Sequence, residues 1–276
     1  MSVATYAAAQ LLRVLPRVRI TRAVGRLADA RIPAPLSKAV VGLFVRAYAV
    51  DLDESVRPVG AYESFDAFFT RQLLPGQRPA CVSERAIVSP ADGNLAALGP
   101  VALDGRMTVK GRPYSAAELL GDPREVDRYL GGQFCVVYLS PRDYHRVHAP
   151  VAGEIRVVRS LPGDLYPVNS IGEQHVPSLF SINRRVAIPI DSEMWGRVTV
   201  VMVGAMIVGR ITVSGIDEHD VSVGNHAMQP IRRVERSDEI GVFHLGSTAV
   251  VFFPPGAPTI DRPTGPIRLG EALHSV

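Results

Sequence analysis

The hydrophobic residues of this chain follow two different periods, one before and one after residue 80. In residues 3–49, Leu, Val and Ala recur at helical spacing. Pro16, Pro33 and Pro35 interrupt this run. Because proline ends or restarts a helix, we predict several separate helices here.

Residues 62–74 predict one further helix before the period changes. Ser64 is a suitable N-cap, since its side-chain oxygen can accept a hydrogen bond from a backbone N–H of the first turn. The apolar residues of one helical face are Phe65, Phe68, Phe69 and Leu73. We expect this face to pack against the core.

After Pro79 the chain consists of short apolar runs separated by Gly, Pro and Asp. These runs predict strands at 134–139, 153–161, 185–190, 197–213 and 248–253. Strands and helices do not alternate, which disfavours a parallel, doubly wound sheet. The predicted fold class is therefore α+β, with a mainly antiparallel β body preceded by N-terminal amphipathic helices.

The net charge of +3 is unevenly distributed. Residues 1–50 contain eight basic residues and one acid, a net charge of +7, and the remainder carries −4. A basic helical segment indicates a polyanionic partner. Few aromatic residues accompany the charges, so an anionic membrane surface is favoured over nucleic acid. The alternative is that these helices simply pack on the core of the protein.

Composition limits the remaining possibilities. The 22 prolines argue against a helical bundle. Cys81 and Cys135 lie far apart in no C-x-x-C pattern, which disfavours a disulfide framework and a cysteine zinc site. The longest apolar stretch, residues 198–208, is too short for the roughly 20 residues that span a bilayer. No secretory signal is recognisable, because arginines and a proline interrupt the N-terminal apolar residues.

Three segments contain candidate catalytic residues. They are SPADG at 89–93, YLSPRDYHRVHAP at 138–150 and HLGST at 244–248. Each is weak alone. Asp92 could be a simple turn residue, and His145 and His148 form an H-x-x-H pair without a carboxylate at a recognised metal spacing. The serine motif is not the G-x-S-x-G of a nucleophile elbow.

Taken together, these segments resemble the phosphatidylserine decarboxylase family in its longer bacterial form. Further matching segments are FDAFFTRQLLPGQRP (65–79), LPGDLYPVN (161–169), LFSINRRV (179–186) and VGAMIVG (203–209). The resemblance extends over about residues 20–254. LGST together with YHRVH is its most specific part.

The resemblance implies that the chain cuts itself between Gly246 and Ser247. The products would be a large chain, 1–246, and a small chain, 247–276, which stay together as a heterodimer. Ser247 would become a pyruvoyl group, the covalent cofactor of the enzyme. Neither a metal nor pyridoxal phosphate is expected.

The resemblance also assigns the remaining site residues. Asp92 and His148 match the family residues that activate Ser247 for self-cleavage, in the arrangement of a Ser-His-Asp triad. His145 matches the histidine that acts in decarboxylation, as a proton donor or by orienting the Schiff base. The sequence does not indicate which residues bind the lipid headgroup.

The expected activity is decarboxylation of phosphatidylserine to phosphatidylethanolamine and CO₂, through a Schiff base with the pyruvoyl group. Residues 1–80 would form a helical membrane-associating segment and residues 81–276 the β-rich catalytic domain. The expected partner is an anionic phospholipid membrane, with no nucleic acid. The expected location is peripheral, on the cytoplasmic face of the cell membrane.

Three alternatives remain open. SPADGNLAAL and HAPVAGEIRVV resemble the hairpins of biotinyl and lipoyl carrier domains, although no Met-Lys-Met attachment site is present. A soluble pyruvoyl-dependent amino-acid decarboxylase would lack a use for the basic helical segment. A zinc hydrolase is the weakest alternative.

Overall fold

The computed structural model describes residues 16–168, 170–206, 209–245 and 247–276. The helical turns predicted for residues 3–15 lie outside these ranges. Within them, no helix is long and apolar enough to cross a membrane. Both cysteines have free thiols, and Cys135 is buried.

The N-terminal helices begin where the prolines predict. The helical segments are α1 (Arg17–Asp29), α2 (Ala34–Tyr48), α3 (Phe65–Phe69), α4 (Ala116–Leu120), a 3₁₀ turn (Val126–Arg128), α5 (Ser170–His175) and α6 (Leu179–Ile182). Pro16 precedes α1 directly, and Pro33 precedes α2. Pro35 lies in the first turn of α2, where its missing N–H is not needed.

The helix predicted for residues 62–74 is shorter than expected. Ser64 is its N-cap, accepting a hydrogen bond from the Ala67 N–H at 3.1 Å. The helix α3 ends at Phe69, so the prediction for residues 70–74 is wrong. The reason is tertiary: the segment that follows pairs with residues 54–56, through backbone bonds from Val56 N to Gln72 O and from Leu74 N to Glu54 O.

The strands form an antiparallel body, which confirms the predicted fold class. They are β1 (Gly93–Pro100), β2 (Arg106–Val109), β3 (Arg112–Ser115), β4 (Gln133–Leu139), β5 (Arg146–His148), β6 (Gly153–Leu161), β7 (Arg185–Ser192), β8 (Gly196–Val203), β9 (Arg210–Val213), β10 (Gly224–Val234), β11 (Glu239–His244), β12 (Ser247–Phe253) and β13 (Gly265–Ile267). Eight strands pair in the order β10-β6-β7-β8-β12-β4-β1-β13, and β5-β11-β9 and β2-β3 form two smaller sheets.

The apolar run 197–213 forms two strands instead of one. It contains β8, which belongs to the eight-stranded sheet, and β9, which belongs to the three-stranded sheet. Periodicity does not reveal this division, because apolar residues continue through 205–208 between the two strands. The consequence is that one apolar run connects the two sheets.

The central strands are buried on both faces. In β12, Val250 and Phe252 pack into one cluster with residues of α2, α3 and α4, and Val251 and Phe253 pack into a second cluster with residues of the three-stranded sheet. Side chains of a strand alternate between its faces, so a continuous apolar run is required here. Helices therefore cover one face of the large sheet, and the smaller sheet covers the other.

Helix α1 packs on the body through small and polar residues. Its buried residues are Arg17, Thr21, Gly25 and Ala28. Arg17 donates from Nε to Asp164 Oδ1 at 2.9 Å, and its guanidinium lies 3.8 Å from the ring centroid of Tyr166. Leu27 on the same helix remains 75% exposed, and Leu43 on α2 remains 71% exposed. These two leucines do not pack on the core, and they remain free to contact another surface.

Candidate active site

The three segments singled out in the sequence meet at the edge of the large sheet where the ends of β1, β4 and β12 lie side by side. Tyr138 near the end of β4 pairs with Asn94 at the start of β1 and with Thr248 at the start of β12. Ser247, the first residue of β12, pairs with Leu139. Neighbouring strands lie about 4.8 Å apart, so SPADG, the start of YLSPRDYHRVHAP and LGST are brought into one small region.

The turn that positions Asp92 depends on its neighbours. Ser89 donates from Oγ to the Ala91 carbonyl at 2.8 Å and shapes the turn. Gly93 has a φ of 153°, which other residues rarely adopt. A Cβ at Gly93 would lie 2.2 Å from the Tyr138 carbonyl oxygen. Glycine therefore allows β1 to start directly against the end of β4.

The Asp92 carboxylate is bound by an arginine and by the C-terminal segment. Arg78 Nε lies 2.9 Å from both carboxylate oxygens, and Arg78 Nη2 also bonds Glu54 Oε2 at 2.6 Å. The Leu269 N–H donates to Asp92 Oδ1 at 2.8 Å. Burial alone would lower the pKa of Arg78, but the two carboxylates outweigh burial and raise it.

His148 is a buried, neutral base at the end of β5. Its Nδ1 lies 2.8 Å from the Ser237 carbonyl oxygen and must donate to it, so Nε2 is an acceptor, 3.3 Å from the Tyr144 hydroxyl. Burial is the main cause that lowers the pKa of His148. The His148 N–H donates to Pro90 O at 2.8 Å, which joins β5 to the turn before Asp92.

His145 is fully buried, and its ring is held on one side only. Nδ1 donates to the Asp143 carbonyl at 2.8 Å, and the ring packs 4.0 Å from the ring of Phe69, centroid to centroid. Nε2 has no hydrogen-bond partner among the described residues. Burial, together with the Arg71 charge, lowers the pKa of His145 to about 3. The imidazole is neutral and presents an unused lone pair.

The structure brings these residues to one region without linking all of them. None of the described hydrogen bonds joins Asp92 to His148; each has the other partners given above. The carbonyl of His145 accepts from the Phe243 N–H at 2.9 Å, and His148 pairs with Glu239. Along β11, His145 therefore stands nearer than His148 to the end that leads to Ser247. Gly246 lies outside the described residues.

Two cavities open at this edge. A polar cavity of about 390 Å³ is lined by Arg71, Arg78, Asp92, Asp143 and Tyr144, among others. An apolar groove of about 600 Å³ lies between α1, α2 and α3 and extends to Pro141, Phe69 and Leu245. Phe69 separates this groove from His145. The site thus has a polar side and an apolar side.

The sequence did not assign a role to Arg71 and Arg78. Both lie in the segment FDAFFTRQLLPGQRP, which was matched only as part of the resemblance. Arg71 is 4% exposed and donates from Nη2 to the carbonyls of Arg142 and Asp143, at 2.8 and 3.2 Å, in the loop before His145. Only the tertiary structure places these arginines beside the later motifs.

A second polar cluster lies immediately upstream of the LGST motif. It consists of Asp66, His219 and His244, whose possible metal-ligand atoms lie within 4.8 Å of one another. Among the described residues, this is the group that could hold a metal ion by its geometry. The Arg210 guanidinium lies among them, donating to Asp66 Oδ1 at 3.2 Å and lying 3.0 Å from His219 Nε2. A cation position between these groups is therefore already filled by an arginine.

Comparison with known proteins identifies the family. Residues 65–275 match the sequence model of the family described as phosphatidylserine decarboxylase. The chain belongs to the phosphatidylserine decarboxylase family. Relatives named phosphatidylserine decarboxylase proenzyme occur in Bordetella petrii, 40% identical, and in Pseudomonas aeruginosa LESB58, 41% identical, each match covering 94% of this chain and 93% of the relative. A third, from Anaeromyxobacter, is 36% identical and covers 95% of both chains.

The family assignment confirms the resemblance drawn from the motifs. It identifies the chain as an enzyme, a decarboxylase of phospholipid metabolism. It also sets aside the carrier-module alternative, since the matched region includes most of the β body. The relatives are named proenzymes, the term for a precursor that is processed.

Proposed function

We propose that this protein decarboxylates phosphatidylserine to phosphatidylethanolamine and CO₂, using a pyruvoyl group that it makes from its own Ser247. The observation that carries the proposal is the convergence of Asp92, His145, His148 and Ser247 at one sheet edge, in a chain of this family. The polar cavity would accept the headgroup, and the adjoining apolar groove would accept part of the acyl chains.

The residues present fit a pyruvoyl group at position 247. Residue 247 is the first residue of β12 and pairs with β4. From residue 248 onwards, β12 pairs with both β4 and β8, which fixes the backbone that follows the proposed pyruvoyl group. The buried Nε2 of His145 has no described partner, as expected of an atom that awaits a substrate. A pyruvoyl group would supply a keto carbon for the headgroup amine and an electron sink for the electrons left by CO₂.

Self-cleavage requires a base and a backbone turn that can react. His148 supports the first requirement, because its neutral Nε2 can take a hydroxyl proton. In this scheme, Ser247 Oγ bonds to the Gly246 carbonyl carbon while the Gly246–Ser247 C–N bond breaks, and the hydroxyl proton ends on the released amine. The resulting ester then loses its Cα proton and its Cβ–Oγ bond by β-elimination, which cuts the chain and leaves Gly246 with a C-terminal carboxylate. The dehydroalanine at position 247 takes up water and releases ammonia to give the pyruvoyl group. Asp92 would help to position His148, because the turn before Asp92 is bonded to the His148 backbone through Pro90 O.

His145 would orient the headgroup. Its neutral Nε2 can accept a hydrogen bond from the substrate amine, and its Nδ1 bond to Asp143 O fixes the ring plane. To act as the proton donor, Nε2 must first take a proton from the substrate. Arg71, whose charge acts on His145, disfavours an imidazolium in the free enzyme.

The cleaved chains would remain associated. Residues 247–253 form a central strand that pairs with β4 on one side and β8 on the other. The C-terminal segment also bonds the large chain, through Leu273 N to Ile87 O at 2.9 Å and Leu269 N to Asp92. Separation would expose this strand and its apolar residues, so we infer a stable heterodimer of 1–246 and 247–276.

Residues 1–80 would attach the enzyme to the membrane, and residues 81–276 would form the catalytic domain. Support comes from Leu27 on α1 and Leu43 on α2, which are both exposed, and from the exposed Arg22 and Arg26 on α1. Basic residues near an anionic surface each add about 1 kcal/mol to binding. We propose a peripheral location on the cytoplasmic face of the cell membrane.

The test of this function is Ser247→Ala. The intact mass under denaturing conditions should show two chains for the wild type and one uncut chain for Ser247→Ala, and a native mass should show the two wild-type chains together. The wild type should release CO₂ from phosphatidylserine vesicles, and the variant should release none. An active, uncut Ser247→Ala protein would refute the proposal.

A further inference from the structure

A buried ion pair lies directly before the link that contains the proposed cleavage site. His244 is the last residue of β11, and its Nδ1 lies 2.9 Å from both carboxylate oxygens of Asp66 in α3. The two side chains are 6% and 9% exposed. The pair therefore fixes the end of β11 to α3 in the helical layer.

Both ring nitrogens of His244 face hydrogen-bond acceptors. Thr212 Oγ1 donates its single hydrogen to the His219 carbonyl at 2.9 Å, so it must accept from His244 Nε2 at 2.7 Å. Nδ1 faces only the Asp66 carboxylate and also donates. Arg210 donates to the same carboxylate and to Asp29 of α1. The negative charge of Asp66 is thus shared between two cations.

The backbone that follows His244 is strained. Leu245 has a φ of 83°, a left-handed conformation that residues other than glycine rarely adopt. Strain of this kind persists only where the surrounding structure imposes it. Upstream, β11 belongs to the three-stranded sheet; downstream, β12 belongs to the eight-stranded sheet. Only residues 245 and 246 lie between β11 and β12, so each end of this short link is held in a sheet.

We propose that Asp66 and His244 are positioning residues for self-cleavage. Their ion pair holds the upstream end of the link, β12 holds the downstream end, and the strained Leu245 presents the Gly246–Ser247 peptide to the serine hydroxyl. Neither side chain exchanges a proton with the reacting atoms. This inference rests on the proposed function, because it requires that the chain cut itself at this bond.

The experiment compares the rate of self-cleavage with turnover by the cleaved enzyme. Full-length chain is synthesised for a short pulse in a cell-free system, and the conversion to two chains is followed by denaturing electrophoresis. Asp66→Asn and His244→Gln remove the ion pair and are expected to slow cleavage by about 10²-fold, the effect of a misplaced reacting group. CO₂ release per cleaved chain should match the wild type, because the pair acts before the pyruvoyl forms.

His244→Lys provides the rescue. It keeps a cation facing Asp66 and should restore much of the cleavage rate lost in His244→Gln, which a purely steric role of the imidazole would not allow. His226→Gln and Asp104→Asn are the matched controls, since His226 lies on β10 and Asp104 is a largely exposed acid. Both should cleave like the wild type.

The possible outcomes are distinguishable. Wild-type cleavage rates in folded Asp66→Asn and His244→Gln would overturn the inference and leave the proposed function intact. If the wild type itself remains uncut, the proposed function fails. If thermal melting shows both neutral variants unfolded, His244→Lys decides: a folded Lys variant that cleaves slowly overturns the inference, and one that cleaves normally supports it.

Discussion

At the residue scale, the two histidines of YHRVH differ in their surroundings although they lie three residues apart. His148 has partners at both ring nitrogens. His145 has one partner and a buried, unused Nε2. A buried polar atom without a partner is rare in native proteins and often marks a functional site. This contrast supports separate roles, His148 in processing and His145 in turnover.

His145→Asn tests this separation. The asparagine amide can still donate to the Asp143 carbonyl, but it provides no ring nitrogen at the position of Nε2. We expect normal self-cleavage and a turnover reduced by about 10²–10⁴-fold, the range for loss of an acid–base group. His148→Ala should remain largely uncut. The check is a mass spectrum and a CO₂-release assay on the same sample; cleaved His145→Asn with normal turnover would remove His145 from the mechanism.

At the element scale, α1 and α2 leave apolar residues exposed beside the groove that leads to Phe69 and Leu245. A soluble helix normally buries its large apolar residues, whereas α1 buries Thr21, Gly25 and Ala28. Arg17 is used in the bond to Asp164, so it does not contribute a free charge. The exposed arginines and leucines of these helices remain available for a lipid surface.

Replacing Leu27 and Leu43 by serine should weaken membrane binding and leave the fold intact. Each leucine that enters the bilayer contributes about 1.5–3 kcal/mol, and neither is buried in the protein. Flotation with anionic vesicles should show less bound L27S/L43S protein, with an unchanged melting temperature. Val82→Ser is the matched control, because Val82 is 97% exposed outside these helices. Equal flotation of all three proteins would contradict the membrane role of α1 and α2.

At the scale of the whole molecule, the large sheet separates two cores, and the chain passes from the three-stranded sheet to the large sheet between β11 and β12. His145 is buried at this junction next to Phe69. Its neutral form is therefore part of the folded state, and protonation of the unfolded chain competes with folding. This makes the global stability sensitive to acid.

The free energy of unfolding should fall as the pH falls from 6.5 towards 3. The unfolded chain protonates His145 near its ordinary pKa of 6.5, whereas burial lowers the pKa of the folded chain to about 3. Between these values only the unfolded state binds the proton, so this group alone removes about 1.4 kcal/mol per pH unit. Above 6.5 its contribution is constant.

Urea denaturation across this pH range measures the effect. The experiment uses the uncut Ser247→Ala chain, so that unfolding is unimolecular, with and without His145→Asn. The His145→Asn protein should lose less stability on acidification. Equal slopes for the two proteins would show that His145 is not the acid-sensitive group.

The sequence by itself determined the features that depend on local periodicity and chain geometry. Proline fixed the starts of α1 and α2, the loss of helical period near residue 80 predicted the antiparallel body, and the motifs predicted the family. Ser64 was recognisable as a cap because capping is a contact within one turn. These features need no knowledge of distant residues.

The tertiary structure decided which distant groups meet. It ended α3 at Phe69, because residues 72 and 74 find backbone partners in residues 54–56. It divided the apolar run 197–213 between two sheets, paired Asp92 with Arg78, and joined Asp66 to His244 across 178 positions. Periodicity encodes which side of an element is buried and carries no information on what it is buried against. The partners of a catalytic residue are set by topology, and they became visible only in the folded chain.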